Sequence, residues 1–430
     1  MQVFEVIMDF IKTAGASAIL PIMITVLGLY FRMSFFQAFK NGLMIGIGFL
    51  GINTILGVLT GGISVISAYY TEMGSGFTVT DIGWQGMSAA AWSTPFAVIV
   101  VPIGFVLNFL LLKYRFTKTL NVDVWNYWHF LLDAAILYYV LLAAGVSVPV
   151  AIVIGTVFAL LCSVIMLKLA DHFAPSWQEY FGVDGTAVTT QMHLTTIYPV
   201  AWITNKVISK IPGLNKIDFK IDSLQEKFGA FGDTSIVAFV VGLLLCVITR
   251  QDAATTLTTS VKIAGAIVIM PRMVSMLMEG LAPVGQAAQE YMSKKLGDDY
   301  EIYIGMDIAL GLGDTCAMQT ALVMIPITIA VAFIVPGVTY FPIATLGSLL
   351  YTTAVCSWVT NGNVFRTIVC ATIMQVYAVI TLSFLSGLTT TVVAAAGTME
   401  LTEGMQVVGS CANQIYNVVI AIIAEIFGIM

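Results

Sequence analysis

The sequence predicts an all-α polytopic membrane protein of two inverted-topology repeats. It should hold about ten to twelve membrane segments, some of them re-entrant or discontinuous. Three observations lead there. First, the 430 residues are 59% hydrophobic and 10% charged, with a mean hydropathy of +0.95; an ordinary globular domain carries about 25% charged residues. Second, apolar runs of roughly 18 residues or more recur along the whole chain, without the alternation of a β-barrel strand. Third, two stretches interrupt this pattern at matching places. Residues 80 to 102, TDIGWQGMSAAAWSTPFAVIVVP, begin polar and glycine-rich and end apolar. Residues 305 to 327, GMDIALGLGDTCAMQTALVMIPI, do the same, with Pro326 in the place of Pro102. Non-helical polar backbone at membrane depth is tolerated only inside protein or against a watery cavity. Two such breaks in corresponding positions point to a transporter's binding site.

Taken in order, Gly15 to Phe31 is the first candidate span, with Pro21 inside it. Leu43 to Thr60 follows. Its glycines at 46, 48 and 51 form a strip that lets a helix or ligand approach the backbone closely, which makes Gly48 a candidate site residue. Residues 64 to 91 form the first interruption, Thr94 to Leu112 a span, and Lys113, Arg115 and Lys118 a basic loop. Tyr127 to Ala144 and Val148 to Leu167 are two more spans. Residues 181 to 205 are too polar to cross lipid unaided, so a re-entrant hairpin or a cavity-lining segment is expected. One long hydrophilic connection, Lys206 to Lys227, holds Lys206, Lys210, Lys216, Lys220 and Lys227. The second half runs through Thr234 to Thr249, Leu257 to Leu281, an amphipathic link to Tyr300, the second break and Ala317 to Val335. Phe341 to Val359, Phe365 to Leu385 and Val407 to Ile429 complete it.

The chain thus divides into a first membrane repeat (1–170), a re-entrant segment with its connecting loop (171–232) and a second, inverted repeat (233–430). Basic loops mark the cytoplasmic side. That puts the 113–118 and 206–227 loops, Lys168 and the Lys294/Lys295 pair inside, the N-terminus outside and the C-terminus in the cytoplasm. MQVFEVIMDFIKTAG carries Glu5 and Asp9 instead of a basic n-region, so it is expected to be retained. The six cysteines are scattered and none forms a CxxC pair, so neither a disulfide framework nor a metal site is expected. No basic block suited to nucleic acid occurs, and no cofactor is indicated.

Ionisable residues inside a membrane are costly and therefore candidates for function. Here they are Asp81, His129, Asp133, His193, Asp307 and Asp314. His129 and Asp133 stand four apart on one helix face, close enough to pair, either structurally or at a site. Asp307 and Asp314 bracket the second break, and either could serve a ligand or cap a half-helix. Gln85, Gln191, Thr189 and Thr190 supply neutral donors and acceptors, which a polyhydroxylated ligand needs. Trp84 and Trp92 offer flat faces to a sugar's C–H surface; Trp125 and Trp128 are favoured instead for the membrane interface. No GxxxxGK[ST] or GxGxxG loop binds a nucleotide, and no cysteine opens an anion nest, so the chain is not expected to carry a phosphoryl group itself.

Several of these segments resemble one family. GIGFLGI (46–52), DIGWQG (81–86), NVDVWNYWH (121–129), KIPGLNKIDF (210–219), QEKFGAFGD (225–233), MPR (270–272) and NVFRT (363–367) are similar to the galactitol-type IIC permease of the phosphoenolpyruvate-dependent phosphotransferase system, and more distantly to its ascorbate permease. The resemblance implies a homodimer in the cytoplasmic membrane whose core moves like an elevator against a dimerising scaffold. It implies import of a sugar alcohol and its phosphorylation by a separate IIB subunit, recharged through IIA. The 206–227 loop is then either a IIB contact or simply a positive-inside loop. By the same analogy the site comprises Gly48, Asp81, Trp84, Gln85, His129, Asp133, Gln191, His193, Asp307 and Asp314. The rival reading is an ion-coupled secondary transporter of a polyol or other small polar solute.

Overall fold

The computed structural model describes residues 21–429 apart from 23, 74–76, 124, 218–233, 297–300, 400 and 402. The N-terminal segment with Glu5 and Asp9, the basic residues Lys220 and Lys227, and the QEKFGAFGD stretch lie outside the described residues. A short helix over residues 24–30 (α1) turns into α2 (Phe35–Met73), a 39-residue helix. At about 1.5 Å per residue it is roughly 58 Å long, well beyond a hydrocarbon core of about 30 Å. Sequence periodicity splits this stretch at residue 64, but the helix continues through it. Its partner explains why. Helix α9 (Ala253–Leu296, 44 residues) lies antiparallel along α2, and glycines set the spacing. A Cβ on Gly51 would collide with Met273 Sδ, and one on Gly280 would sit 2.7 Å from the Asn41 carbonyl oxygen. Close backbone approach therefore repays the helix-weakening glycines of GLMIGIGFLG. Residues 282–296 of the expected link before Tyr300 are likewise part of α9. Helix α8 (Thr234–Ile248) pairs with α9 as α1 does with α2.

Between these long helices the chain follows a different plan. Strand β1 (Val79–Asp81) leads into α3 (Gly83–Trp92) and, across a 91° bend, into α4 (Ala97–Lys113). Pro102 lies inside α4, so the break is the Ser93–Phe96 turn and not the proline. Strand β2 (Thr119–Asn121) precedes α5 (Trp128–Ala143), and α6 (Val148–Phe181) ends at Gly182 in a left-handed cap. Strand β3 (Thr186–Val188) is followed by a π-turn at His193–Ile197 and α7 (Tyr198–Lys210). Lys206 and Lys210 thus belong to a helix, not to a loop. In the second half, β4 (Tyr303–Met306) enters a 3-10 turn at Ile308–Gly313 and then α10 (Thr315–Ile334), which continues through Pro326. Helices α11 (Ile343–Thr360), α12 (Val364–Phe384) and α13 (Ser386–Ala396), strand β5 (Gln406–Val408) and α14 (Ile415–Ile426) complete the described chain.

The all-α expectation misses the strands. They are short, three or four residues each, and form two parallel sheets: β2-β4-β3, and β1-β5 with an added bridge between Val79 and Tyr340. Buried backbone that is not helical must find partners within the protein, and these pairings supply them. Among the described residues five helices are long and apolar enough to cross a membrane, or six if α3 and α4 count as one bent span. That is fewer than the ten to twelve segments counted in sequence. The difference arises where apolar runs prove short, as in α5 and α14, or carry buried polar groups, as α11 does with Thr353, Ser357 and Thr360.

Candidate functional site

The two interrupted segments meet. Trp84, in the first turn of α3, and Asp307, Ile308 and Ala309, at the second break, line the same cavity of about 320 Å³. Each break is built by an aspartate at a strand end. Asp81 Oδ1 accepts from the Gly83 amide at 2.9 Å, and its Oδ2 accepts from the Thr345 amide and hydroxyl, both at 3.0 Å. Asp307 Oδ1 accepts from the Ala309 amide at 2.9 Å, and its Oδ2 accepts from Asn126 Nδ2 at 2.6 Å. Thr190 adds a third tie: its hydroxyl accepts from the Ile308 amide at 2.9 Å and donates weakly to Asp307 Oδ1 at 3.4 Å. Gly83 has φ +64°, and a Cβ there would lie 2.8 Å from Ala344 Cβ, so only glycine fits this turn unstrained. The turn places Trp84 on the same wall as Thr345.

Facing them, α5 presents Trp128 and His129, stacked at 4.0 Å with 28° between their planes. Trp128 is 2% exposed, lines the cavity and donates through Nε1 to Asn126 Oδ1 at 3.2 Å; the interfacial role expected for it does not hold. The π-turn brings in His193, and the segment before β5's following helix brings in Ser410, Cys411 and Asn413. Helices α11 and α12 close the cavity with Tyr351 and Gln375.

The chemistry of the wall is mixed and nearly neutral. Among the described residues Asp307 is the one carboxylate on it, and no lysine or arginine lines it. Five buried polar atoms meet no hydrogen-bond partner within the protein: Nδ1 of His129 and of His193, Gln375 Oε1, Ser410 Oγ and Asn413 Oδ1. Unpaired buried polar atoms are rare and call for an explanation. Here they are an array suited to a ligand that both donates and accepts several hydrogen bonds.

Of the residues singled out from sequence, Trp84, His129, His193 and Asp307 line this cavity. Asp81 stands behind it, holding Thr345. Asp133 and Gln191 also stand behind it, bonded to each other at 2.6 Å. No hydrogen bond or ion pair joins His129 to Asp133, because both Asp133 oxygens are taken by amides and His129 turns to the cavity. Gln85 is exposed, and Gly48 lies buried on α2; neither lines the cavity. Asp314 also stands outside its lining. It caps α10 through the Ala317 amide at 2.7 Å and accepts from Ser357 at 2.7 Å and Tyr180 at 3.2 Å. Asp307 caps its short helix too, while also facing the cavity. Sequence reasoning missed Asn126, Thr345, Gln375, Ser410 and Asn413. One signal was present: SCANQ at 410–414 is a polar interruption before an apolar run, much as TTQMH is at 189–193.

A family model described as "PTS system sugar-specific permease component", EIIC-GAT, matches residues 9–405. The chain is 33% identical to the "PTS system galactitol-specific EIIC component" of Escherichia coli (strain K12) over 400 residues, covering 92% of this chain and 86% of that protein. The same values hold for the protein of that name in Escherichia coli O157:H7. A "Putative permease IIC component" of Escherichia coli (strain K12) is 28% identical over 369 residues, covering 86% of this chain and 82% of that protein.

Proposed function

The chain belongs to the EIIC-GAT family, the sugar-specific permease components of the phosphotransferase system, and from that premise we propose that it imports galactitol or a closely related polyol. It is a transmembrane subunit, with helices long and apolar enough to span. The observation that carries the substrate class is the cavity wall: five unpaired polar atoms, aromatic faces at Trp84 and Trp128, and, among the described residues, no cation. A neutral, polyhydroxylated solute satisfies such a wall, whereas a phosphate ester or an inorganic anion finds no counter-charge there. Phosphorylation then falls to a IIB subunit, served by IIA, at the cytoplasmic face.

The inverted repeat is part of this proposal. The sheets support it: pairing β1 with β4, β2 with Tyr340 and β3 with β5 turns the order β2-β4-β3 into Tyr340-β1-β5. So do the antiparallel long helices α2 and α9 and the like capping by Asp81 and Asp307. On this pattern the first repeat extends to α7, the counterpart of α14, rather than ending at residue 170. The end of α14 then lies opposite the end of α7. Since Lys206, Lys210 and Lys216 mark the latter as cytoplasmic, we place the C-terminus outside, in place of the cytoplasmic position expected from sequence. Among the described residues, none that lines the cavity lies on α1, α2, α8 or α9. We assign these helices to a dimerising scaffold and the rest to a core that moves as an elevator.

Vesicles test this against ion-coupled transport. Galactitol should enter and appear phosphorylated only with phosphoenolpyruvate, Enzyme I, HPr and the IIA and IIB proteins present. Concentrative uptake of free galactitol on an ion gradient alone would overturn it.

A further inference from the structure

Behind the cavity, Asp133 is completely buried and gathers three side-chain amides. Its Oδ2 accepts from Gln191 Nε2 at 2.6 Å; its Oδ1 accepts from Gln414 Nε2 at 2.7 Å and Asn417 Nδ2 at 2.8 Å. Among the described residues the three amide oxygens meet no hydrogen-bond partner, and the Cys162 thiol also lies against the carboxylate.

What matters is where those amides sit. Gln191 lies between Thr190 and His193, and Gln414 directly follows Asn413; all three neighbours line the cavity. The two wall segments, 190–193 and 410–413, are far apart in the chain and are tied again close by, by the Ile415 amide donating to Thr196 Oγ1 at 3.1 Å and by Tyr416 beside Gln191 and Thr195. Asp133 itself does not line the cavity. We propose that Asp133 is a positioning residue: its carboxylate fixes the separation of the 190–193 and 410–413 walls, and so sets galactitol affinity without touching the ligand. This rests on reading the cavity as the galactitol site.

The test is a reciprocal exchange in the full-length protein. Asp133→Asn puts an amide N–H₂ against the N–H₂ of Gln191 while keeping an oxygen for Gln414 and Asn417. Galactitol affinity should fall about tenfold or more, the usual consequence of leaving buried donors unpaired. Asp133→Asn/Gln191→Glu restores a donor–acceptor pair at the same place and should recover affinity to within about threefold. A second readout needs no ligand: the rate at which iodoacetamide labels Cys411, the cavity thiol, followed by peptide mass spectrometry. That rate should change severalfold in the single variant and return in the double. Should Asp133→Asn fail to fold, Gln191→Met removes one arm alone and should show the same loss. Wild-type behaviour of either single variant in both readouts overturns the proposal, and so does a double variant as impaired as Asp133→Asn. If the unaltered protein binds no galactitol, the substrate assignment falls, and the Cys411 rates still decide the clamp.

Discussion

Gly83→Ala tests how the first break places Trp84. The backbone at Gly83 has φ +64°, which costs an L-residue about 1–2 kcal/mol. A Cβ there would also lie 2.7 Å from Gln85 Oε1 and 2.8 Å from Ala344 Cβ. Gln85 is exposed and can swing away. Ala344 cannot, because the next residue, Thr345, is held by two hydrogen bonds to Asp81. The strain must therefore push Trp84 and Thr345 apart on the cavity wall, for a total of about 2–4 kcal/mol once overpacking is included. If half of that appears as lost binding, galactitol affinity falls about tenfold, since 1.4 kcal/mol is a factor of ten. Gly182→Ala is the control: its φ is +66°, but nothing lies within 4 Å of an added Cβ. It should lose about 1–2 kcal/mol of stability and leave binding unchanged. Isothermal titration with galactitol and thermal unfolding of both variants give the comparison. Equal affinity in the two would refute the claim that this turn positions the wall.

Four further outcomes are expected. Asp314→Asn should leave galactitol affinity within about twofold of wild type while lowering the unfolding temperature, because its carboxylate serves Ala317, Ser357 and Tyr180, outside the cavity lining. Asp307→Ala should weaken binding about tenfold or more, since it frees Thr190 and Asn126 at the wall and uncaps the Ile308 turn; titration calorimetry reads the loss. Galactitol phosphate should fail to displace bound galactitol in a competition assay, having no lysine or arginine to meet it at the wall. Arg366→Ala should speed hydrogen exchange across residues 211–217. Arg366 donates to Asn205 at 2.9 Å, Ser209 at 2.8 Å and the Asn215 carbonyl at 3.1 Å, and so pins that turn to the start of α12.

Much of this was legible in the residues, and the reasons it failed elsewhere are physical. The two breaks stood out because polar, glycine-rich sequence inside apolar sequence has few explanations, and Trp84 and Asp307 followed from them; His129 and His193 followed from the cost of ionisable groups inside a membrane. The second-half contributors did not stand out. Gln375 and Thr345 sit in apolar runs whose helical period they do not disturb, so only the fold brings them to the wall. His129 and Asp133 were rightly placed on one helix, yet spacing alone does not say which neighbour claims each group. Three amides from other elements outcompete an imidazole one turn away. The long helices escaped for the opposite reason. Glycines that weaken a helix in isolation are what let α2 and α9 lie close, so a local rule misjudged a feature set by a partner. The strands were invisible because three residues are too few to show a period.

The interleaved sheets have a consequence for how the molecule comes into being. β2 and β3 flank β4, and β1 lies between β5 and Tyr340, so neither half of the chain holds a complete sheet. Nascent chain that has emerged only as far as α7 carries three strands whose edges await partners still on the ribosome. Assembly of the interior must then be largely post-insertional, a docking of two pre-inserted bodies rather than a stepwise growth. Cleaving the gene between α7 and α8 should yield two fragments that are each degraded when made alone and that rescue one another when made together.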